Sequence, residues 1–414
     1  MKKMLIFFSI VLLMLIVNTG CWSRKELNEL SIVTGLGLDK IGDEYLLSAQ
    51  VISPASIAGK GSGGKGGTSN VVNFESRGKT PFAAMRKMST EVARRLYFSH
   101  LRLLAFGDEF AKEGIGPVLD FFSRDHEFRS DYNIVIVHKD RAEDLLDILT
   151  PLETIPALKI HQSVEMSERV WGHTILTTID DLIAEITSTG KEPVLSGIEI
   201  KTAKEKGGKN KQEEGEKVSE LQTASPAVVL QHIHLAVFKR DKLMGWLTSK
   251  ESLGTNFVLD KIKSTVIPIP CEQQKGKQKK KPTFISMEIM KSKTKNKAEI
   301  IDDEPTIHIE INTEASVGDV PCDIDMTKAQ TIYQLENKLE KEIKKTVETA
   351  IHDVQKKFKL DIFGFGEVIH RKDPKLWKKL GKNWDKKFAT LPVDVTVKVR
   401  ILRTGTTNNS FLKK

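Results

Sequence analysis

The strongest periodic pattern in the chain lies near its carboxyl terminus. From Thr327 onward, apolar residues recur at spacings of three or four, at Ile332, Leu335, Leu339, Ile343, Val347, Ile351, Val354 and Phe358. Such spacing places them on one face of a helix of roughly eight turns, with lysine and glutamate on the other faces. The stripe predicts a long amphipathic helix packed on a sheet. The alternative is a coiled coil with a partner helix, although the spacing drifts from a strict heptad.

Extended segments accompany helical ones along the rest of the chain. Valine and isoleucine alternate with polar residues from Val393 to Ile401, which predicts a half-buried strand. Upstream, short apolar strands alternate with helical patterns, the strands at 32–38, 45–52, 101–106, 132–137 and 194–200, and the helices at 82–96, 110–122, 142–149, 157–170 and 179–186. We therefore predict an α+β fold of mixed β-sheets with packed helices, including one long amphipathic helix near the C-terminus.

Two polar, lysine-rich stretches suggest where the chain divides. Residues 201–217 are almost wholly Lys, Glu, Gly and Gln, and residues 272–281 are similar, so neither can bury much apolar surface. The length fits two or three domains. We predict a signal peptide at 1–20, followed by the mature segments listed here: an N-terminal α/β domain at 21–200, a polar linker or loop at 201–217, a middle domain at 218–281 and a C-terminal α+β domain with the long helix at 282–414.

The amino terminus has the features of an export signal. Lys2 and Lys3 precede an apolar run from Met4 to Val17, which is short for a membrane-spanning helix but suits a secretory signal. Small residues, Thr19 and Gly20, come just before Cys21, the arrangement of a bacterial lipobox, although Asn18 stands where Leu is usual. We predict cleavage before Cys21 and lipidation of its thiol. The alternatives are an uncleaved N-terminal anchor and an ordinary secreted protein.

The charge balance is mildly basic. The chain has 64 Lys and Arg against 55 Asp and Glu, a net charge of +9, and loss of residues 1–20 removes two lysines and leaves +7. This excess is weakly favourable toward an anionic membrane surface. The lysines are scattered or lie in loops and form no stripe with aromatic stacking residues, so we predict no binding to nucleic acid.

Two further cysteines, Cys271 and Cys322, leave the redox state open. An oxidising exterior would permit a disulfide between them. However, Cys271 precedes a lysine-rich loop, and two free thiols are an equally acceptable interpretation.

No pattern in the chain forms a convincing catalytic set. Gly59 and Gly64-Lys65 approach a phosphate-binding loop, but Gly66 replaces the hydroxyl residue that would hold Mg²⁺, so a flexible loop is favoured. His232 and His234 share one face of a predicted strand but lack further metal ligands. Asp125-His126-Glu127 could hold a general base, yet it is more typical of a charged helix end. We predict no catalytic residues, no cofactor and no metal site, and hence no enzyme.

Two aromatic segments follow the long helix. In Ile362-Phe363-Gly364-Phe365-Gly366, Gly364 or Gly366 could supply the left-handed residue that ends that helix, with the phenylalanines folding back onto its stripe or forming a binding patch. Trp377 and Trp384 lie among lysines after Pro374. They suit a short core-packing helix, and the alternative is a segment at a membrane interface.

Several motifs together resemble the Ger(x)C family, the C subunits of spore germinant receptors. The resemblance covers essentially the whole chain and rests on these segments in the family's order: Cys21 to Leu30, Ile32 to Asp39, His100-Leu101-Arg102, Phe106 to Glu109, Asp120 to Asp125, Asp361 to Glu367, Pro374 with Trp377, and the final alternating strand. The departures are Asn18 and a longer glycine-lysine insertion after Ile57.

The resemblance implies both a function and a cellular location. It implies three α+β domains, S-diacylglycerol and N-palmitoyl groups on Cys21, and a place on the outer face of the spore inner membrane. It further implies two membrane-embedded partners, the A and B subunits, and a non-enzymatic role in the response to small nutrients. The alternative is an extracytoplasmic solute-binding lipoprotein, which predicts one deep, mostly apolar cleft between two lobes.

Overall fold

A computed structural model describes residues 2–17, 29–53, 69–150, 153–202, 217, 226–271, 283–322 and 324–405. The first helix, α1 (Lys2–Val17), contains 16 residues. Among the helices of these ranges, none combines the length and apolar character that crossing a membrane requires.

The described residues before the disulfide-forming Cys271 contain most of the elements. The strands are β1 (Leu30–Ile41), β2 (Glu44–Ile52), β3 (Val71–Gly78), β4 (Arg95–Tyr97), β5 (Leu103–Gly107), β6 (Asn133–Val137), β7 (Val194–Thr202), β8 (Val228–Lys239), β9 (Lys242–Trp246) and β10 (Thr265–Pro270). The helices are α2 (Pro81–Met88), α3 (Asp108–Glu113), α4 (Gly116–Arg124), α5 (Ala142–Asp147), α6 (Pro156–Val170), α7 (Ile179–Thr187) and α8 (Ser249–Val258).

The remaining elements form the C-terminal part. They are β11 (Phe284–Ile301), β12 (Glu304–Asp319), α9 (Ala329–Lys357), α10 (Phe365–Lys372), α11 (Pro374–Leu380), a short 3₁₀ turn (Gly381–Asn383), α12 (Trp384–Phe388) and β13 (Val393–Arg403). Since α9 alone has 29 residues, this part contains the longest helix described.

The first sheet joins nine of the described strands. Its order is β3-β2-β1-β5-β6-β7-β8-β9, and β4 pairs with the start of β1. The central strands β1, β5, β6 and β7 run parallel, whereas both outer pairs run antiparallel. Parallel neighbours need crossover connections. The connection from β1 to β5 contains β2, β3, α2 and β4, and the connections from β5 to β6 and from β6 to β7 contain α3 to α7. These central strands are therefore covered on both faces, and the two faces form separate core clusters.

The second sheet has the order β10-β11-β12-β13 and carries α9 on one face. β12 and β13 are parallel, and the connection between them contains α9 to α12. The apolar stripe of α9 is buried in the same cluster as Ile307, Ile309 and Val395. The predicted packing of a long helix on a sheet is confirmed, and the coiled-coil alternative is wrong for this stripe.

Helix α9 also covers the free edge of the second sheet. The Oε1 atoms of Glu340 and Glu336 accept hydrogen bonds from the backbone N–H groups of Val399 at 3.0 Å and Ile401 at 2.8 Å. Backbone N–H groups on an edge strand otherwise invite pairing with another chain. Two glutamates on the polar side of the helix therefore occupy donors that β13 would leave unpaired.

The α+β class with mixed sheets is confirmed, and two local predictions need correction. The helix predicted at 82–96 ends at Met88, and the following residues turn and form β4 with Leu96 at its centre. α9 ends at Lys357, and Lys359, two residues later, lies in the left-handed region at φ +56°, whereas Gly364, at φ +77°, precedes α10 instead. The left-handed residue at the end of the long helix is therefore a lysine.

The three-domain division at 21–200, 218–281 and 282–414 stays a prediction. β7 and β8 lie on either side of the predicted linker and pair with each other in the first sheet. Within 201–217, only residues 201, 202 and 217 are described.

Candidate functional site

The segment from Asp361 to Glu367 is organised by one buried carboxylate. Oδ1 of Asp361 accepts hydrogen bonds from the backbone N–H groups of Phe363 at 3.1 Å and Gly364 at 2.9 Å. Its Oδ2 accepts from the N–H of Gly366 at 2.7 Å and from Nε1 of Trp384 at 3.0 Å. Four donors therefore converge on a side chain that is 1% exposed.

Burial and hydrogen bonding act in opposite directions on this acid. Removal from water raises the pKa of Asp361 to about 6, and the hydrogen bonds that the carboxylate accepts, among them those from Gly366, Trp384 and Phe363, lower the pKa against that effect. An ionised carboxylate accepts with both oxygens, which matches the N–H donors arranged around Asp361 on two sides.

The same segment also contacts the part of the molecule that contains the first sheet, which we call the first-sheet part. The contact is formed by two glycines, Gly190 and Gly366. A Cβ built on Gly190 would lie 2.6 Å from the backbone N of Glu367, and one built on Gly366 would lie 2.7 Å from Cα of Gly190. Close by, the N–H of Glu192 donates to the carbonyl of Asp361 at 2.8 Å. We call this contact between residues 188–192 and 361–367 the glycine joint.

Side chains add to the glycine joint on its rim. The Ser188 hydroxyl donates to Oε1 of Glu367 at 2.8 Å, and Lys191 pairs with Glu185. Phe363 and Phe365 are 4% and 0% exposed and stack with their ring centroids 5.1 Å apart. The interpretation of these phenylalanines as an exposed binding patch is wrong, and their packing onto the stripe of α9 is confirmed.

Helix α8 forms a second contact between the first-sheet part and the C-terminal part. No periodic pattern in the sequence indicated this helix. Nδ2 of Asn256 donates to the carbonyls of Gly172 at 2.9 Å and Thr174 at 3.1 Å. On the other side, a Cβ built on Gly254 would lie 2.6 Å from Cβ of Ala350 in α9. The signal that could have revealed α8 is its capping box, in which Thr248 and Glu251 bond each other's backbone N–H groups.

Replacing Gly190 with alanine tests the glycine joint. The added Cβ meets backbone atoms, which cannot rotate away, so we expect the free energy of unfolding to fall by about 1–3 kcal/mol. Chemical denaturation measures this change. Gly381→Ala is the matched control, because the three atoms nearest to a Cβ there belong to the ring of Trp377 and lie at 3.3 Å or more. Equal stability of the two variants would contradict a tight joint.

The tryptophans after Pro374 belong to the core. Trp377 is 6% exposed and Trp384 is 5% exposed, with ring centroids 5.1 Å apart. The core-packing interpretation of this segment is confirmed, and the interpretation as a membrane-interface helix is wrong.

The histidines singled out in the sequence lie at two places: His126 just after α4, and His232 and His234 on β8. His126 follows the end of α4 with its side chain 92% exposed, while Oδ1 of Asp125 accepts from the N–H of Glu127 at 2.9 Å. Glu127 in turn pairs with Arg95. The interpretation of residues 125–127 as a charged helix end is confirmed.

His232 lies on β8 and contacts α6. Its Nε2 lies 2.6 Å from Oγ of Ser163, and burial, with a smaller effect of Lys159, lowers the pKa of His232 to about 4. Among the residues that the structure describes, the buried Nδ1 of His232 has no hydrogen-bond partner, so none of their carboxylates orients the ring as a serine nucleophile would require. Within the described residues, no three His, Cys, Asp or Glu side chains group as metal ligands.

Among the cavities formed by the described residues, two open ones lie on the N-terminal part. One, of about 280 Å³, is lined by residues of α2 and β4, and the other, of about 420 Å³, by residues around Phe122, Arg129 and Asp180. Neither cavity includes residues of both the first-sheet part and the C-terminal part. A solute-binding lipoprotein predicts a deep cleft between two lobes. These two cavities do not have that arrangement.

The structure answers the question, left open by the sequence, of whether Cys271 and Cys322 are paired. Cys271 and Cys322 form a disulfide with their Cα atoms 6.2 Å apart. Cys21 and the glycine-rich loop Gly59 to Gly67 lie outside the described residues.

Comparison with known proteins accounts for nearly the whole chain. A family model described as the spore germination protein N-terminal domain matches residues 23–200, and one described as spore germination B3/GerAC like, C-terminal, matches residues 233–405. Spore germination protein KC of Bacillus subtilis (strain 168) is 33% identical over 405 residues, which is 97% of this chain and 96% of the relative. The chain belongs to the Ger(x)C family of spore germination proteins.

Further relatives agree with this membership. Spore germination protein B3 of Bacillus subtilis (strain 168) is 25% identical and covers 96% of this chain and 98% of its own length. The crystal structure of the GerBC protein superimposes with a TM-score of 0.52 at 21% identity, covering 89% of this chain and 97% of that chain. The structural similarity supports the fold of this family member. The names of these relatives refer to spore germination, and none of them names a reaction.

Proposed function

We propose that this protein is a non-enzymatic, lipid-anchored subunit of a nutrient germinant receptor, needed for spore germination in response to small nutrients. The observation that carries the proposal is the similarity to spore germination protein KC along 97% of the chain. The proposed location is the outer face of the spore inner membrane, where the partners are the membrane-embedded A and B subunits of the receptor.

The proposed anchor is a lipidated Cys21. Removal of residues 1–20 would leave this residue at the amino terminus, and about nine residues separate it from Leu30, where β1 begins. Such a segment reaches at most about 30 Å when extended. Acyl chains bind the bilayer with about 0.8 kcal/mol per buried CH₂, so a diacylglycerol with an N-palmitoyl group provides firm attachment.

The proposed mechanism is coupling, with no chemical step. The glycine joint and α8 tie the first-sheet part to the C-terminal part through buried backbone contacts. A body held together in this way transmits a displacement from one surface to another because its interior is close-packed. Confinement to the membrane raises the local concentration of the partner subunits.

Replacing Cys21 with alanine tests the proposal directly. Without the thiol no thioether forms, so we expect loss of palmitate incorporation and retention of residues 1–20 on the chain. We also expect germination in a mixture of amino acids, sugars and nucleosides to slow at least about tenfold, because the subunit is no longer held by its lipid. Metabolic labelling, mass spectrometry of the amino-terminal peptide and the loss of optical density of the spores measure these effects.

Ser23→Ala is the control for the anchor, since it alters the neighbouring sequence and leaves Cys21 intact. Normal germination both of spores that carry Cys21→Ala and of spores that lack the protein entirely would refute the receptor-subunit role. Unchanged labelling in Cys21→Ala would refute the anchor alone.

A further inference from the structure

Three arginines surround the smaller of the two cavities. The cavity has a volume of about 280 Å³ and lies between the end of α2 and β4, with Arg86, Arg94, Arg95 and Ser89 on its polar side. The lining also includes four buried apolar residues, which we call the apolar floor: Met85, Val92, Leu96 and Phe98. Cationic groups and an apolar floor therefore line the same cavity.

The positive charge of this cavity is only partly compensated. Arg95 pairs with Glu127, whose side chain is 8% exposed. Within the described ranges, no carboxylate lies within ion-pair distance of Arg86 or Arg94, and both are exposed. The cavity walls thus hold three positive charges and one negative charge, and the surplus favours an anionic ligand.

Arginine side chains favour phosphate as the anion that this cavity would bind. Guanidinium groups present planar pairs of N–H donors that match the oxygens of phosphate. Arg86 is also oriented before any ligand binds, because its Cζ lies 4.9 Å from the centroid of the Phe82 ring. The volume of about 280 Å³ is at the small end for ligand pockets, which suits a phosphate group with a short substituent.

The position of the cavity relates it to the membrane. Arg95 is the register partner of Leu30, the first residue of β1, so the cavity lies where the amino-terminal segment joins the first sheet. Cys21 is about nine residues upstream of Leu30, which places a lipidated Cys21 at most about 30 Å from the cavity.

We propose that this cavity binds a phosphate group, supplied either by the headgroup of an anionic phospholipid or by phosphate free in solution. Arg86 and Arg94 donate to the phosphate oxygens, and Arg95 joins them from its pair with Glu127. The apolar floor accepts the carbon substituent of a phosphodiester. The lipid source rests on the proposed anchor at Cys21, whereas the phosphate chemistry does not.

Calorimetric titration of the purified full chain in a neutral detergent tests the site. The probes are inorganic phosphate, dihexanoyl phosphatidylglycerol and dihexanoyl phosphatidylcholine. We expect Arg86→Ala and Arg94→Ala each to weaken binding of the phosphatidylglycerol about tenfold, since each removes charge-assisted hydrogen bonds. Glu127→Gln is expected to strengthen binding severalfold, because it removes the one negative charge of the lining and releases Arg95.

Arg371→Ala is the matched control, because Arg371 is an arginine on α10 whose side chain is 70% exposed and which is absent from the cavity lining. Arginine-dependent binding of phosphatidylglycerol alone supports the site with a lipid source, and arginine-dependent binding of inorganic phosphate supports it with a soluble source. Binding of no probe overturns the proposal, as does binding that Arg86→Ala and Arg94→Ala leave unchanged or that phosphatidylcholine matches. Germination plays no part in this measurement, so its result is independent of the receptor role.

Discussion

Replacing Asp361 with alanine is expected to lower the free energy of unfolding by about 3–5 kcal/mol. The substitution leaves three backbone N–H groups and the indole N–H of Trp384 without an acceptor in a place that water does not reach. It also frees the segment that carries Gly366, so the glycine joint should loosen. Chemical denaturation measures the stability, and hydrogen exchange of residues 361–367 measures the loosening.

Asp373→Ala is the matched control for this prediction. Asp373 is also an aspartate that accepts two backbone N–H groups, those of Lys375 and Leu376, both at 2.9 Å. Its hydrogen bonds cap α11 near the surface, so the loss should be about 1 kcal/mol. An equal loss for Asp361→Ala and Asp373→Ala would show that burial of the carboxylate is unimportant.

Replacing Cys271 and Cys322 with serine is expected to destabilise the protein by about 4 kcal/mol. The disulfide joins residues separated by 51 positions, and it ties the end of β10 to the segment after β12. Removing it enlarges the set of conformations open to the unfolded chain, which is the main source of the stabilisation. Denaturant titration of the double variant against the wild type measures the difference.

Reduction supplies the control for the disulfide. A reductant should lower the stability of the wild type to that of the double variant and leave the variant unchanged. The absence of both thiols from maleimide labelling of the denatured, unreduced wild type is the corresponding chemical result. Labelling of Cys271 and Cys322 under those conditions would contradict the pairing and support the free thiols considered from the sequence.

The elements that could be predicted from the sequence share a local signal. The apolar residues of α9 recur at a helical spacing, and those of β13 alternate with polar residues. In the structure, the two apolar faces are buried in the same core cluster. Helix α8 shows the limit of this reasoning. From Glu251 to Val258 all of its residues are buried, so it has no alternation of polar and apolar faces whose spacing could reveal it, and only its capping box marks its start.

The aromatic residues after α9 could be placed only partly from the sequence. Phe363, Phe365, Trp377 and Trp384 were compatible with a core or with an exposed surface, because the local pattern contains both lysine and aromatic residues. The structure buries all four residues, and Asp361 accounts for one of them by accepting the indole N–H of Trp384. A periodic pattern of neighbouring residues cannot indicate a hydrogen bond between two residues that are 23 positions apart.

The sequence by itself determined the α+β class, the long packed helix and membership of the Ger(x)C family, because periodic burial and short motifs are properties of neighbouring residues. Only the tertiary structure decided that Gly190 meets Gly366, that Cys271 pairs with Cys322 and that three arginines share one cavity with Glu127. Such contacts depend on how distant segments pack against each other. The spacing of neighbouring residues cannot indicate these contacts, because they form only when distant segments pack together in one close-packed interior.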